Sequence, residues 1–200
     1  MYPKLLTLYG PFELNSYNTS IALGIVLFIF LANRRQRALY LMTTSDFINT
    51  CVEAALAGIL GGRMLHVLSS FNEYPSWFST IQIWDGGLSI LGGFLGIATF
   101  AAINLWLKKF PFAILDIAGL YAPLIHGIAR IGCFLVGCCY GSPTQSYLSV
   151  IYTHPQVCAP LGIPLHPSQL YSSLLFFILF LLLYRYAQNQ SNKGFPGSGK

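Results

Sequence analysis

His126, Arg130, Cys133 and Gly137 recur at the spacing of one α-helical stripe, inside an apolar run from Pro111 to Val136. A guanidinium cannot shed its charge, so placing one in hydrocarbon is costly unless an anion or a set of acceptors compensates. The stripe leads into Cys138, Cys139, Tyr140 and Gly141, where the apolar pattern stops. A second arginine, Arg63, lies with His66 in another apolar run. An anion is the natural ligand for such a pair of arginines, and a phospholipid phosphate suits it. The planar fork of arginine donates two parallel hydrogen bonds to phosphate. The competing reading is that each arginine snorkels to the membrane interface and pairs with Glu53, Asp85 or a backbone carbonyl.

The histidines carry a weaker signal. A histidine near a helix end can serve as a base or as a plain hydrogen-bonded interfacial residue. Cys133, Cys138 and Cys139 with His126 raise the question of a metal. No CxxC pair is present, however, and the spacing matches no standard zinc module. The expectation is therefore no metal and no cofactor. Cys51 and Cys133 fall inside apolar runs, where buried thiols act as small hydrophobes. Cys138, Cys139 and Cys158 fall outside them.

These side chains must be positioned by membrane helices. Only 8% of the 200 residues are charged and 54% are hydrophobic, which places the chain in the membrane class. Five runs qualify as spans: Asn15 to Ala32, Phe47 to Leu68, Leu88 to Leu107, Phe112 to Val136 and Pro167 to Tyr186. Met1 to Ser16 lacks the apolar core of a cleavable signal peptide, so the first span is expected to persist in the mature protein. The net charge of +5 is distributed by topology and does not point to nucleic acid. Arg34, Arg35 and Arg37 follow the first span, Lys108 and Lys109 the third, and Arg185 with Lys193 the fifth. The segment from Gly141 to His166 has no lysine or arginine. The positive-inside rule then puts the N-terminus outside and the C-terminus in the cytoplasm.

The expected architecture is an all-α polytopic membrane helix bundle of about five transmembrane helices, with a long outer loop before the last. Residues 1–187 form a single transmembrane domain, and residues 188–200 form a polar cytoplasmic tail without assigned structure. Small-residue stripes mark the packing faces: Cys51, Ala55, Gly58, Gly62 and His66 in span two, and Ser89, Gly92, Gly96 and Thr99 in span three. Pro123 predicts a kink in span four. The loop from Gly141 to Pro167, with its five prolines, predicts irregular structure with short helical turns.

Depth brings the chemistry together. A helix rises about 1.5 Å per residue and the hydrocarbon core is about 30 Å thick. Counted from Phe47 and Phe112, Arg63 and Arg130 both arrive in the outer third, with His66 and His126 beside them. Span three enters from the outer side through Trp84, Asp85, Gly86 and Gly87. Span five enters through His166, Pro167, Ser168, Gln169 and Tyr171.

On GGRMLHVL (Gly61 to Leu68), WDGGLSILGGFLG (Trp84 to Gly96), GIARIGCFLVGCCYGSPT (Gly127 to Thr144) and HPSQLY (His166 to Tyr171), the chain resembles the bacterial prolipoprotein diacylglyceryl transferases. The resemblance runs from about Tyr17 to Tyr186. It implies transfer of diacylglyceryl from phosphatidylglycerol to the thiol of a lipobox cysteine in a prolipoprotein signal peptide, with release of glycerol phosphate. It implies a multi-pass protein of the bacterial inner (plasma) membrane whose partners are membrane lipid and prolipoprotein. It also puts Arg130 at the family's essential arginine, Gly141 at the glycine after the signature and Tyr17 at a first-span tyrosine. The expected site therefore has Arg130, His126 and Tyr17 as catalytic residues. Arg63, Gly141, His166, Gln169 and Tyr171 are expected to bind substrate.

The departures from the family pattern are specific. The family's histidine before the glycine pair of span three is Leu91 here. Its asparagine after RIG is Cys133, its next asparagine is Val136, and its acidic residue is Cys138. The family also has a span beyond HPSQLY, so the chain is read as a truncated copy or a shortened paralogue. Two alternatives to transfer follow. One is a catalytically impaired relative that binds phospholipid or lipoprotein; the other is a redox or metal-binding membrane protein using its thiols.

Overall fold

The computed structural model describes residues 4–7, 13–71, 78–81, 87–107 and 109–192. Their order is β1 (Lys4–Thr7), β2 (Glu13–Asn15), α1 (Ser16–Ala38), α2 (Thr44–Ser69), α3 (Ile90–Trp106), α4 (Ala113–Val136), β3 (Val150–Ile151), β4 (Pro164–Leu165) and α5 (Ser168–Asn192). Helices α1, α2, α4 and α5 are long and apolar enough to cross a bilayer, and α3 is apolar over 17 residues. The all-α polytopic membrane architecture expected from the hydropathy is therefore the fold of this chain. Trp84 to Gly86, Lys108 and the segment from Lys193 onward, all invoked above, lie outside the described residues.

The chain divides into two compact units: Asn33–Leu115, and Met1–Ala32 with Asp116–Lys200. In the first, α2 begins at an N-cap, where the Thr43 hydroxyl accepts from the Asp46 amide at 3.1 Å. It packs against α3 through backbone with almost no side chain between. A Cβ built on Gly61 would lie 2.5 Å from the Gly92 carbonyl oxygen, and one on Gly96 would collide with the Ala57 carbonyl. The Ser89 amide donates to the Gly62 carbonyl at 3.0 Å, tying the start of α3 to α2. The contact runs through Ala57, Gly61, Gly92 and Gly96, with Gly58 and Gly62 of the expected stripe also against α3, whereas Ala55 of that stripe is exposed. Close backbone approach of this kind is how small residues join helices in lipid.

In the other unit α4 carries Pro123 within one continuous helix. Gly24 of α1 sits over Ile125 of α4, where an added Cβ would lie 3.1 Å from the Ile125 side chain. Helices α4 and α5 are joined by the buried Ser173 hydroxyl, which donates to the Gly127 carbonyl at 2.8 Å. Between them the chain from Gly137 to Pro167 is more ordered than its prolines suggest. Strands β3 and β4 pair antiparallel, with Val150 opposite Leu165 and Ile151 opposite Pro164. Tyr152, Ala159 and Leu165 form a small buried cluster beneath them. Helix α5 continues past Tyr186 to Asn192, so the first residues of the segment read as an unstructured tail are helical. Polar side chains on exposed helix turns do not end a helix, and no glycine or proline interrupts this one before Gly194.

Candidate functional site

Arg63 and Arg130 have different surroundings. Arg63, in Asn33–Leu115, is buried, and its guanidinium is engaged by backbone. Nε donates to the Thr80 carbonyl at 2.8 Å, Nη2 to the Ser79 carbonyl at 2.8 Å and Nη1 to the Gly87 carbonyl at 3.0 Å. Gly87 adopts φ +76°, and a Cβ there would strike the His66 ring and approach the Arg63 fork. Only glycine fits a position that needs both a left-handed backbone and such close approach. Arg63 in this structure organises the connection between α2 and α3, which is the carbonyl-pairing alternative raised from the sequence.

Arg130 is half-buried on α4, and its guanidinium makes no hydrogen bond or ion pair among the described residues. Tyr17 of α1 lies within electrostatic range of Arg130 and of Cys133, Cys138 and Cys139. The approach of α1 is set by Gly132, where a Cβ would lie 2.8 Å from Ser20 Cβ and 3.2 Å from Tyr17 Cα. Tyr17, Arg130 and the three thiols therefore share one end of the α1–α4 pair.

The turn after α4 is built with unusual care. Gly137 takes φ +77°, and the Gly137 and Cys138 amides both return to the Cys133 carbonyl, at 2.9 and 3.1 Å. This is a glycine-terminated helix end. Cys139 then adopts φ +56°, a left-handed conformation that costs a non-glycine residue about 1–2 kcal/mol. The start of α5 holds it there. Ser168 Oγ donates to the Cys139 carbonyl at 2.7 Å, and Gln169 Nε2 donates to the Cys138 carbonyl at 2.7 Å and to the Tyr152 hydroxyl at 3.2 Å. Gln169 is fully buried, and its Oε1 has no hydrogen-bond partner among the described residues. As a result Sγ of Cys133, Cys138 and Cys139 all lie within 4.8 Å of one another. Burial, together with the neighbouring Cys133 and Cys139, pushes the Cys138 thiol up to about 12. Unliganded, it stays protonated at neutral pH and cannot act as the base that a carboxylate would be.

Gly141 packs against the HPSQLY segment. Its amide donates to the His166 carbonyl at 3.0 Å, and a Cβ there would lie 2.8 Å from His166 Cβ. His166 Nδ1 and the Tyr171 hydroxyl are 3.3 Å apart. His126 is exposed and stacks on Phe176 of α5, with ring centroids 5.4 Å apart. The structure thus gathers Tyr17, Arg130, Cys133, Cys138, Cys139 and Gln169, with Gly141, His166 and Tyr171 on the adjoining chain. Sequence reasoning missed the structural parts of Ser168 and Tyr152. Ser168 was within a recognised motif, but nothing in the sequence marks Tyr152 as the second partner of Gln169.

A family model described as prolipoprotein diacylglyceryl transferase matches residues 3–198. The chain belongs to the prolipoprotein diacylglyceryl transferase family. Among relatives named phosphatidylglycerol–prolipoprotein diacylglyceryl transferase, that of Clostridium tetani is 32% identical over 197 residues, covering 97% of this chain and 77% of the relative. The second such transferase of Clostridium perfringens is 33% identical, covering 91% of this chain and 71% of the relative. That of Nitrosomonas europaea is 32% identical, covering 89% and 64%. Within this family, the present chain carries a three-thiol turn between its arginine and the glycine that abuts HPSQLY.

Proposed function

We propose that this chain is a phosphatidylglycerol–prolipoprotein diacylglyceryl transferase of the inner membrane, acting on the lipobox cysteine thiol of a prolipoprotein. Family membership and the curated relatives support the reaction. The observation that carries its assignment to this site is the half-buried Arg130, whose hydrogen-bonding capacity is unspent among the described residues while that of Arg63 is committed to carbonyls. A cation so placed gains from an anion or a set of acceptors, and a lipid phosphodiester supplies both charge and acceptors.

In the reaction the acceptor thiolate attacks the glyceryl carbon of phosphatidylglycerol, and the C–O bond to phosphate breaks. Arg130 would bind the phosphate in the ground state and stabilise the charge that accumulates on it as it leaves. Tyr17, within electrostatic range of Arg130, would hydrogen-bond the same headgroup or the incoming sulfur, while Gly141, His166, Gln169 and Tyr171 would shape the adjoining wall. His126, stacked on Phe176, is the remaining candidate for proton transfer. Arg63 would act as a positioning residue for the segment that leads into α3. The positive-inside pattern supports an outer location for the Gly141–His166 segment and a cytoplasmic C-terminus.

The test is transfer from labelled phosphatidylglycerol to a lipobox peptide by the purified chain, with the thioether product read by mass spectrometry. Turnover that falls by at least about 100-fold in Arg130→Ala supports the reading, since losing one charge-stabilising donor costs about that much. Headgroup binding without any transfer would instead support a catalytically impaired relative.

A further inference from the structure

The three thiols are more than the transferase reading requires. Cys133 is buried at the end of α4, Cys138 follows the left-handed Gly137, and Cys139 is exposed and itself left-handed. A chain under no constraint places glycine or asparagine at such a position. Here a cysteine occupies it, and two side-chain hydrogen bonds from α5 hold the carbonyls on either side of the Cys138–Cys139 peptide. The consequence of that backbone is convergence of sulfur: all three Sγ atoms lie within 4.8 Å of one another. Around one metal with bonds of about 2.3 Å, thiolate sulfurs sit about 4 Å apart, so side-chain rotation closes the remaining gap. Soft thiolates select soft cations. Among the described residues the group holds three ligands, without His126, and Cys139 in it is exposed.

We propose that Cys133, Cys138 and Cys139 form a three-thiolate site for a soft d10 cation of the Zn2+ class, with its fourth position open to an exogenous ligand. Three protein ligands and one open position is the arrangement of catalytic zinc sites, whereas structural sites close all four. Resting on the transfer proposed above, the fourth ligand is the acceptor thiol of the prolipoprotein. Coordination deprotonates a thiol outright, so the cation supplies the activation that a base would otherwise provide. The balance is simple. The acceptor S–H proton passes to water, and a sulfur lone pair forms the S–C bond to the glyceryl carbon. The C–O bond breaks with its electron pair on the departing glycerol phosphate, and the cation keeps its oxidation state.

The test titrates the full chain in detergent with Cd2+ and follows thiolate-to-cadmium charge-transfer absorption, then adds Zn2+ in competition. One equivalent of Cd2+ should bind the unmodified chain, Cys51→Ser and Cys158→Ser alike, and only a large excess of Zn2+ should displace it, since the softer Cd2+ is favoured by thiolates. Cys139→Ser, at an exposed position that leaves the fold intact, should lose the one-equivalent band. Wild-type binding by Cys139→Ser, or no band in the unmodified chain, overturns the site. Equal transfer rates from chelator-stripped and Zn2+-loaded chain overturn the acceptor-thiol role while leaving the transferase reading in place. A loaded site with no transfer in either form leaves the metal site standing and sinks the transferase reading.

Discussion

Gln169 Nε2 donates to the Cys138 carbonyl at 2.7 Å, across 31 residues of chain, from a position with no solvent exposure. That hydrogen bond fixes the turn after α4 to the start of α5. Gln169→Leu leaves the Cys138 carbonyl and the Tyr152 hydroxyl without their donor. The expected loss of stability is about 1–3 kcal/mol, seen as a lower melting temperature in detergent. An unchanged melting temperature would mean that water replaces the amide at no cost.

Arg130→Lys should impair phosphatidylglycerol retention nearly as much as Arg130→Ala. Lysine keeps the charge but presents a single ammonium in place of the bidentate fork. Native mass spectrometry of the detergent-purified variants reads bound lipid directly. Wild-type retention by the lysine variant would reduce the role of Arg130 to charge alone.

Cys139→Gly should raise the melting temperature while reducing soft-metal binding. Glycine removes the cost of about 1–2 kcal/mol that a left-handed backbone imposes on cysteine, and the Ser168 bond to the residue 139 carbonyl remains possible. Differential scanning fluorimetry is sufficient, and a lower melting temperature would show that the side chain contributes more than its backbone costs.

Two glycine substitutions should move stability in opposite directions. Gly119 has no atom within 4 Å of an added Cβ, so Gly119→Ala should stabilise α4 by about 0.5–1 kcal/mol. Gly92→Ala would drive a methyl into the Gly61 carbonyl and should destabilise the α2–α3 pair by about 1–3 kcal/mol. Thermal melts of both in one detergent give the signs.

Reporter fusions at Arg37 and Gln156 test the orientation. A reporter active only outside the cytoplasm should be silent at Arg37 and active at Gln156. The reverse pattern would invert the proposed topology.

The helices were legible in the sequence because hydropathy and length are local properties. Asn15 to Ala32 and Phe112 to Val136 recover α1 and α4 with shifts only at their ends. The overrun of α1 to Ala38 has a physical cause. Buried Gln36 bonds Asn33 Oδ1 at 2.8 Å and accepts from the Met42 amide at 3.3 Å, so the helix is extended by side chains that hydropathy does not weigh. The motif residues were legible as a set, yet their partners were not. Arg63 and Arg130 look alike in sequence, and only three-dimensional structure shows one spent on Ser79, Thr80 and Gly87 carbonyls. The thiols group in the sequence and are set aside there because their spacing matches no zinc module, whereas their convergence depends on the positive φ angles of Gly137 and Cys139. Nothing in residue spacing encodes that.

The 17 residues of α3 have a consequence for the surrounding lipid. At about 1.5 Å per residue the helix measures about 25 Å, some 5 Å short of an average hydrocarbon core. Its partner α2, at 26 residues, is long enough to cross with room to tilt. Two helices locked backbone to backbone cannot adjust independently, so the shortfall at α3 is met by thinning of the adjacent bilayer or by flanking residues that reach the interface. Acyl-chain length then becomes a variable of the stability of the α2–α3 pair, with shorter-chain bilayers relieving the mismatch and longer-chain bilayers working against it.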